Sequence, residues 1–391
     1  MQTIDERARE ALNKKAPYGE DISIEDYEEP TATSSVDPGD RERLLDIGIQ
    51  ESGRSGTYMQ FDSSVLREET LQEGIEVMSI NRALEKYDWL RDYWWKAVQV
   101  DQDKYTAYSQ LHPVRGYFIR ALPGVKSRFP VQSCLYMKGS DILQNVHNII
   151  IAEEGSELDI ITGCATGEKS NRGLHIGVSE FYVKKGAKLS FTMIHSWGED
   201  VAVRPRSGAI VEGTFLSNYV NMRPTRSIQM YPVSYAKDNA TVRYSTIVVA
   251  KEGSNVDVGS RTHLEGKGAK TEMISRGIST GGNAYLRGDI VGKAEGVKGH
   301  LECRGLILGE KGMVYSVPEL TATLSDVDLS HEAAIGKIAE EEIFYLMSRG
   351  LSEEEATSVI VRGFLSVDIK GLPPALDAEI KKIIDSSISS L

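Results

Sequence analysis

Three cysteines are the residues of this sequence best suited to metal or sulfur chemistry. Cys303 lies in a strand-like run, GHLECRGLILGEKG, next to Arg304. A neighbouring cation favours the thiolate, the form of cysteine that binds metals and sulfur, although cysteine is also often a small buried hydrophobic residue. Cys164 follows a strand-like run at the point where the chain enters a Gly/Ser/Asn loop. A cysteine at the end of a strand is better placed for reaction than one in the middle of a strand. Cys134 lies within an apolar run and is expected to be structural. Three widely spaced cysteines argue against a disulfide framework.

A second candidate is the Ser-His-Glu triplet near the start of DLSHEAAIGKIAEEEIFYLMSRG, residues 328–350. This segment has the pattern of an amphipathic helix. The hydroxyl of Ser330 would cap its N-terminus, and Glu332 would lie in the first turn at the positive end of the helix dipole. In this interpretation His331 needs no functional role. The alternative is that His331 and Glu332 belong to a metal site, and the triplet alone leaves both interpretations open.

The elements that must position these residues are mostly strands. Short β-branched or aromatic runs bounded by glycine fill the region from about 115 to 325. A turn followed by an alternating strand recurs, as in EEGSELDI, KKGAKLSF and KEGSNVDV, with turn positions at 239, 253, 268, 282, 296 and 312, and earlier at 155 and 186. Stacked units of this length predict a β-solenoid, with two units per coil and two main sheets. A β-sandwich is the alternative, because it also has regularly spaced short strands.

Helical patterns occur at both ends of the chain. We expect four regions: a short helix with an acidic linker or mobile arm (1–40), an N-terminal helical region with a helix at about 71–97 (41–114), the β-helix core (115–325) and a C-terminal helical subdomain (326–391).

The C-terminal subdomain has the clearest helix signals. Its first helix should end at Arg349 before Gly350, its second should open with a capping box of Ser352 and Glu355, and a third should follow Pro373-Pro374. These helices cannot bury all of their apolar surface alone. We therefore expect them to dock on the end of the solenoid or on a partner.

Composition and missing motifs exclude several classes of protein. The net charge is −12 and no basic cluster stands out, so neither nucleic acid nor an anionic membrane is an expected partner. No apolar run reaches bilayer-spanning length, and the N-terminus lacks the apolar middle of a signal peptide, which favours a cytoplasmic protein. The sequence lacks the phosphate-binding, hydrolase and zinc motifs GxxxxGK[ST], GxSxG, HExxH and paired CxxC.

The C-terminal segment LSHEAAIGKIAEEEIFYLMSRGLSEEEATSVIVRGF (329–364) resembles the signature of SufB and SufD, the scaffold subunits of the SUF iron–sulfur cluster assembly system. The resemblance extends through residues 244–279, 145–165 and 73–87. It implies a right-handed parallel β-helix with helical ends, and a dimer of scaffold chains. It also implies a SufC-type ABC ATPase bound by the C-terminal helical region. ATP hydrolysis would then belong to that partner, and this chain would not itself be an enzyme.

The resemblance also assigns roles to individual residues. Cys303 matches the SufB cysteine held to be essential for building the cluster, Glu332 matches a glutamate next to that site, and His331 falls where both SufB and SufD carry a histidine. Cys164 resembles the cysteine that receives sulfur and sends it along the β-helix interior. The implied cargo is a transient iron–sulfur cluster, 4Fe–4S in the family. A sulfur donor and recipient apoproteins are implied partners, and reduced flavin is a further family property for which the sequence has no motif.

Some features depart from the family pattern. The cysteine-rich motif near the N-terminus of bacterial SufB is absent, and Ser330 replaces an acidic residue. A SufB-like cysteine and a SufD-like histidine coexist here, which suggests a homodimer, although a second SufB/SufD-like chain is the alternative. A purely structural SufD-like subunit would typically lack Cys303. A polysaccharide lyase or hydrolase on a β-helix would need clustered carboxylates, and the candidate acids Asp257, Glu265 and Asp289 share no strand position.

Overall fold

The computed structural model describes residues 2–32, 35–167 and 172–365. Over those residues the helices are α1 (Ile4–Ala11), α2 (Pro38–Asp46), α3 (Ile80–Lys86), α4 (Lys104–Leu111), α5 (Glu340–Met347) and α6 (Glu353–Leu365), with a 3-10 helix at Asp88–Asp92. The strands are β1 (Gly56–Phe61), β2 (Ser64–Thr70), β3 (Ile75–Ser79), β4 (Tyr117–Ala121), β5 (Val131–Met137), β6 (Ile142–Ala152), β7 (Glu157–Thr166), β8 (Arg172–Val183), β9 (Lys188–Ser196), β10 (Asp200–Val211), β11 (Thr214–Asn221), β12 (Ser227–Met230), β13 (Val233–Ala236), β14 (Thr241–Lys251), β15 (Asn255–Leu264), β16 (Lys270–Thr280), β17 (Asn283–Gly292), β18 (Val297–Ile307), β19 (Met313–Ala322) and β20 (Val327–Gly336).

In the described residues these strands form two facing sheets of ten strands each. The first sheet has the order β2-β1-β5-β7-β9-β11-β14-β16-β18-β20. The second has the order β19-β17-β15-β12-β10-β8-β6-β4-β3, with β13 pairing with both β10 and β15. Strand pairs there are parallel apart from β1 with β2 and β3 with β4. The predicted mainly β solenoid is therefore confirmed, with about seven turns in this part of the chain, and the β-sandwich alternative is wrong.

The length of one coil follows from the strand register. Thr241 pairs with Lys270, and Lys270 pairs with Lys298, so these two coils take 29 and 28 residues. This is two of the turn-plus-strand units found in the sequence. Asn239 has φ of 58° at one of the predicted turns, a conformation that asparagine tolerates better than most residues with a side chain. Near position 282, however, the positive φ belongs to Gly281.

The hydrophobic core fills the space between the two sheets. Residues alternate between faces along each strand, and the inward-facing set of β18 comprises Val297, Leu301 and Cys303, all fully buried. The outward-facing set of the same strand includes Leu306, which packs in a separate cluster under α6. This alternation decides which surface each candidate residue reaches.

The N-terminal part is more ordered and less helical than the sequence predicted. The acidic stretch after α1 is not a mobile arm over its described residues, because Ile22, Ile24 and Tyr27 are buried against the outer face of the second sheet. The region 41–114 contains three strands, β1 to β3. The expected helix at 71–97 is reduced to α3 and the 3-10 helix, since Ile75 and Val77 are buried in β3.

The main correction concerns the Ser330-His331-Glu332 triplet. It lies in β20 and does not cap a helix. β20 pairs with β18 from Val327 to Gly336, so backbone hydrogen bonds to the neighbouring coil outweigh the local helical pattern. The helix begins only at Glu340.

The rest of the C-terminal subdomain agrees better with prediction. Helix α5 ends at Met347, two residues before the predicted Arg349, and Gly350 follows with φ of 98°. The capping box of α6 is present, because the amide of Glu355 donates to Ser352 and the amide of Ser352 donates to Glu355. The third helix predicted after Pro373-Pro374 lies outside the described residues. Among the described helices, none combines the length and apolar character that a bilayer crossing requires.

Candidate functional site

Cys303 lies inside the solenoid near its C-terminal end. On the inner face of the first sheet its register neighbours are Ser275 in β16 and Ala333 in β20. Burial raises the pKa of the Cys303 thiol above its usual value, although the nearby hydroxyls of Ser316 and Ser275 oppose this rise. The thiol is therefore protonated near neutral pH, and binding of iron would displace its proton.

Arg304 does not activate Cys303 in the way its position in the sequence suggested. Consecutive residues of a strand point to opposite faces, and Arg304 points outward, away from the thiol. Its Nε lies 2.6 Å from Glu302 and its Nη2 lies 3.2 Å from Glu332. The prediction that this cation lowers the Cys303 pKa is therefore wrong. Arg304 instead forms ion pairs on the outer face of the sheet.

His331 shares the inner face with Cys303. In β20, Val327 and Leu329 pack against the interior core, so alternation places His331 on the same side. His331 is the register partner of Leu301, two residues from the partner of Cys303. Its side chain is exposed because β20 is the last strand of the first sheet within the described residues. The thiol and the imidazole thus lie diagonally on adjacent strands at the open end of the solenoid.

Glu332 lies on the opposite face of β20. Its carboxylate is ion-paired with Arg304, and its side chain is 57% exposed. Ser330 also points outward, with its hydroxyl 2.9 Å from Nδ1 of His300. The three residues predicted as cluster ligands therefore lie on two faces. Cys303 and His331 face the interior, whereas Glu332 lies on the outer surface of the edge strand.

The described residues of one chain do not complete a metal site. No group of three or more His, Cys, Asp and Glu side chains within the described ranges is arranged to hold a metal ion. A thiolate and an imidazole are nevertheless suitable ligands for an iron–sulfur cluster. Further ligands would have to come from Glu332 after it turns, from another molecule, or from both.

The open end exposes side chains that would otherwise belong to the core. Leu320 in β19 and Ile335 in β20 face the interior and are 41% and 40% exposed. β19 and β20 are also the terminal strands of the two sheets in the described part of the chain. Each presents unpaired backbone groups, which are a template for another strand.

Cys164 lies within β7 and faces the interior, although the sequence placed it at an accessible strand end. It is 1% exposed, and burial raises the pKa of its thiol well above the usual range. Its register neighbour is His195, whose Nδ1 is 2.9 Å from the hydroxyl of Tyr219. Cys134 is buried in a cluster on the outer face of the sheet, in agreement with a structural role.

The comparisons with known proteins add to this geometry. Residues 135–364 match the family model described as SUF system FeS cluster assembly, SufBD core domain. Iron-sulfur cluster assembly SufBD family proteins of Methanothermobacter thermautotrophicus and Archaeoglobus fulgidus are 49% and 54% identical to this chain. These alignments cover 98% of both chains in the first case, and 88% of this chain and 94% of the relative in the second. The chain belongs to the SufBD family.

A relative named iron-sulfur cluster assembly protein SufB, from Bacillus subtilis, is 29% identical over 86% of this chain and 76% of its own length. The SufBD family is an assembly family of the SUF iron–sulfur system, in keeping with a protein that is not itself an enzyme. The SufBD core match includes Cys164, Cys303, His331 and Glu332, and it begins one residue after Cys134.

Sequence reasoning missed a polar group inside the SufBD core. His175 accepts or donates a hydrogen bond of 3.0 Å with Gln144 and lies beside Trp197, with ring centroids 4.9 Å apart. Burial lowers the pKa of His175 to about 3. Nε2 of His195 and Nε1 of Trp197 are buried and have no hydrogen-bond partner among the described residues. Strand register pairs His175 with Gln144, and the facing of the two sheets brings Trp197 beside it, so no local motif could have identified this group.

Proposed function

We propose that this chain is a scaffold on which an iron–sulfur cluster is built and from which it is transferred, in complex with a separate SufC-type ABC ATPase. The observation that carries the proposal is the placement of Cys303 and His331 on one inner face at the open end of the solenoid. The SufBD core match spans both residues and supports the same function.

The cluster would be assembled between two scaffold chains. Within its described residues one chain supplies a thiolate and an imidazole, which is an incomplete ligand set, and the exposed edges of β19 and β20 offer a surface for a second copy. Twofold pairing would bring Cys303 and His331 of both chains together and would be self-complementary. A second SufB/SufD-like chain is the alternative partner.

A mixed ligand set suits a scaffold that must release its cluster. Thiolates bind iron–sulfur clusters most strongly, whereas imidazole and carboxylate are weaker ligands. With Cys303 as the thiolate of each chain, a 4Fe–4S cargo would be held by few strong bonds and could pass to apoproteins.

Cys164 is the proposed acceptor of sulfur. The outer sulfur of a donor persulfide would pass to the Cys164 thiolate, giving a Cys164 persulfide and the donor thiolate. Because Cys164 is buried and its pKa is raised, the donor has to open this coil and remove the proton. An interior cavity of about 20 Å³, lined by Phe191, Phe215 and Tyr244 among others, lies in coils between those of Cys164 and Cys303.

The ATPase would bind the C-terminal helices. α5 buries none of its side chains, and Phe344 and Tyr345 are 61% and 59% exposed. Val359 on α6 adds to this apolar surface. Exposed apolar patches of this kind are typical of interaction sites. Closure of two ATPase subunits would move these helices and expose the assembly site.

The scaffold proposal is tested by anaerobic reconstitution with the ATPase co-expressed. Wild type, Cys303→Ala, His331→Ala and the control Cys134→Ala would be compared by iron content, sulfide content and thiolate-to-iron absorbance. We expect cluster on wild type and on Cys134→Ala, little on His331→Ala and none on Cys303→Ala. Equal cluster on all four would place the site elsewhere, and none on any would favour a SufD-like structural subunit.

A further inference from the structure

A row of alternating charges crosses the outer face of the first sheet towards β20. Nη2 of Arg276 and Nε of Arg304 both lie 2.6 Å from Oε1 of Glu302, and Nη2 of Arg304 lies 3.2 Å from Oε1 of Glu332. The side chains are 11%, 13%, 44% and 57% exposed in the order Arg276, Glu302, Arg304, Glu332. Two cations therefore share one carboxylate oxygen, and burial decreases towards the edge strand.

The buried end of this row lies under helix α6. The guanidinium carbon of Arg276 is 6.0 Å from the ring centroid of Phe364. Val361 and Leu365 of the same helix are buried in a hydrophobic cluster on this face of the sheet. The docked helix thus shields Arg276 from water, which strengthens its interaction with Glu302 because screening by solvent is reduced.

Displacement of α6 would redistribute the pairing along the row. Water would reach Arg276 and weaken its ion pair, as for other solvent-exposed pairs. Oε1 of Glu302 would then be available to Arg304 alone, and Arg304 would hold Glu332 less firmly. Glu332 is on the edge strand, so its released carboxylate could turn towards the open end, where His331 is its chain neighbour.

We propose that Arg276, Glu302 and Arg304 form a charged ladder that couples the docking of α6 to the availability of Glu332 as a ligand. This inference rests on the proposed function, since it describes how the cluster site is regulated. With α6 docked, Arg304 keeps Glu332 on the outer face. With α6 displaced, Glu332 joins the inner-face residues. Arg276, Glu302 and Arg304 are positioning residues, because they act on the site through Glu332.

The first test needs no metal. Hydrogen exchange of α6 and β20 amides would be measured by mass spectrometry on the full chain for wild type, Phe364→Ala, Arg276→Ala and Arg243→Ala. Arg243 is a matched control, because it pairs with Glu272 at 3.0 Å on the same sheet but contacts no member of the ladder. We expect Phe364→Ala and Arg276→Ala to speed exchange in β20, and Arg243→Ala to leave it unchanged. An unchanged β20 in Phe364→Ala, or an equal effect of Arg243→Ala, would overturn the coupling.

The second test asks whether the ladder acts through Glu332. After anaerobic loading with ferrous iron and sulfide, loss of iron to a chelator would be timed for Arg276→Ala and Arg304→Ala, each in the wild-type and Glu332→Gln backgrounds. We expect about two- to fivefold slower loss in the wild-type background, and no change in the Glu332→Gln background. The same slowing in both backgrounds would contradict the proposal. If wild type holds no iron and sulfide, the proposed scaffold function is wrong. The hydrogen-exchange experiment alone then decides whether the ladder couples α6 to β20.

Discussion

His331 and Glu332 are neighbours in the chain but lie on opposite faces of β20. Their division has a chemical consequence, because the imidazole faces the same interior as Cys303 whereas the carboxylate is neutralised by Arg304. The sequence alone could suggest all three residues as ligands. It could not show that one of them is already paired, since Arg304 meets Glu332 only through the register of β18 and β20.

The acid stability of the protein should depend on His175. Its pKa is lowered by burial from 6.5 to about 3, so between these values the unfolded chain binds a proton that the folded chain does not. Stability contributed by the neutral imidazole is therefore present above pH 6.5 and is lost as the pH falls towards 3. We expect a slope of up to about 1.4 kcal/mol per pH unit from this group.

Urea unfolding of wild type and His175→Gln at several pH values from 4 to 8 measures this contribution. The variant should lose less stability than wild type between pH 6.5 and pH 4. Its unfolding at pH 8, where imidazole is neutral in both states, is the control for simple loss of packing. Parallel pH profiles for the two proteins would show that His175 is not responsible.

At the scale of secondary-structure elements, features set by nearby residues were predictable from the sequence, whereas features set by pairing between distant strands were not. The turn positions and the capping box of Ser352 and Glu355 depend on nearby residues, and the sequence predicted them well. The sequence of β20 favours a helix because its polar and apolar residues fit a helical face, whereas its strand state depends on pairing with β18, 30 residues earlier. The division between the inner and outer faces follows from the same pairing and was likewise beyond the sequence.

On the proposed partnership with a SufC-type ATPase, helix α5 should contribute directly to binding. Replacing Phe344 and Tyr345 by alanine removes two exposed aromatic side chains, and such residues often dominate interface energy. We expect the double variant to bind the ATPase at least about tenfold more weakly in titration calorimetry. Its midpoint of thermal unfolding should be unchanged, because neither side chain is buried in the isolated chain.

Leu45→Ala is the matched control for this measurement. Leu45 is 53% exposed on α2, remote in sequence from the C-terminal helices. It should bind the ATPase with wild-type affinity. Equal affinity for the α5 variant and wild type would move the ATPase surface away from α5.

At the scale of the whole molecule, the two ends of the solenoid differ. At the N-terminal end both sheets finish in antiparallel strands, β2 and β3, and the C-terminal end finishes in the parallel strands β19 and β20 with Leu320 and Ile335 exposed. The sequence indicated the stacking of coils through its repeat. The difference between the ends comes from strand direction, which the repeat does not encode.

Self-association should therefore be sensitive to charge at the C-terminal end. Leu320→Lys places a cation among exposed core-type side chains, and burying it in an interface would be costly. On the proposed pairing of two scaffold chains, we expect this variant to be monomeric in sedimentation velocity at concentrations where wild type forms the proposed dimer. Leu71→Lys, at a residue 52% exposed just after β2, should remain dimeric. A dimer that survives Leu320→Lys but not Leu71→Lys would place the interface at the other end.

The antiparallel strands at the N-terminal end also limit how far such molecules can assemble. A solenoid with two open, parallel ends could add copies head to tail without limit and grow into a fibre. Here the turn back of β2 along β1, and of β3 along β4, reverses strand direction at one end. A head-to-tail stack could not continue the parallel ladder across this end, whereas a head-to-head pair of C-terminal ends needs no such continuation. These two antiparallel pairings would thus oppose the open-ended stacking of such molecules into a fibre.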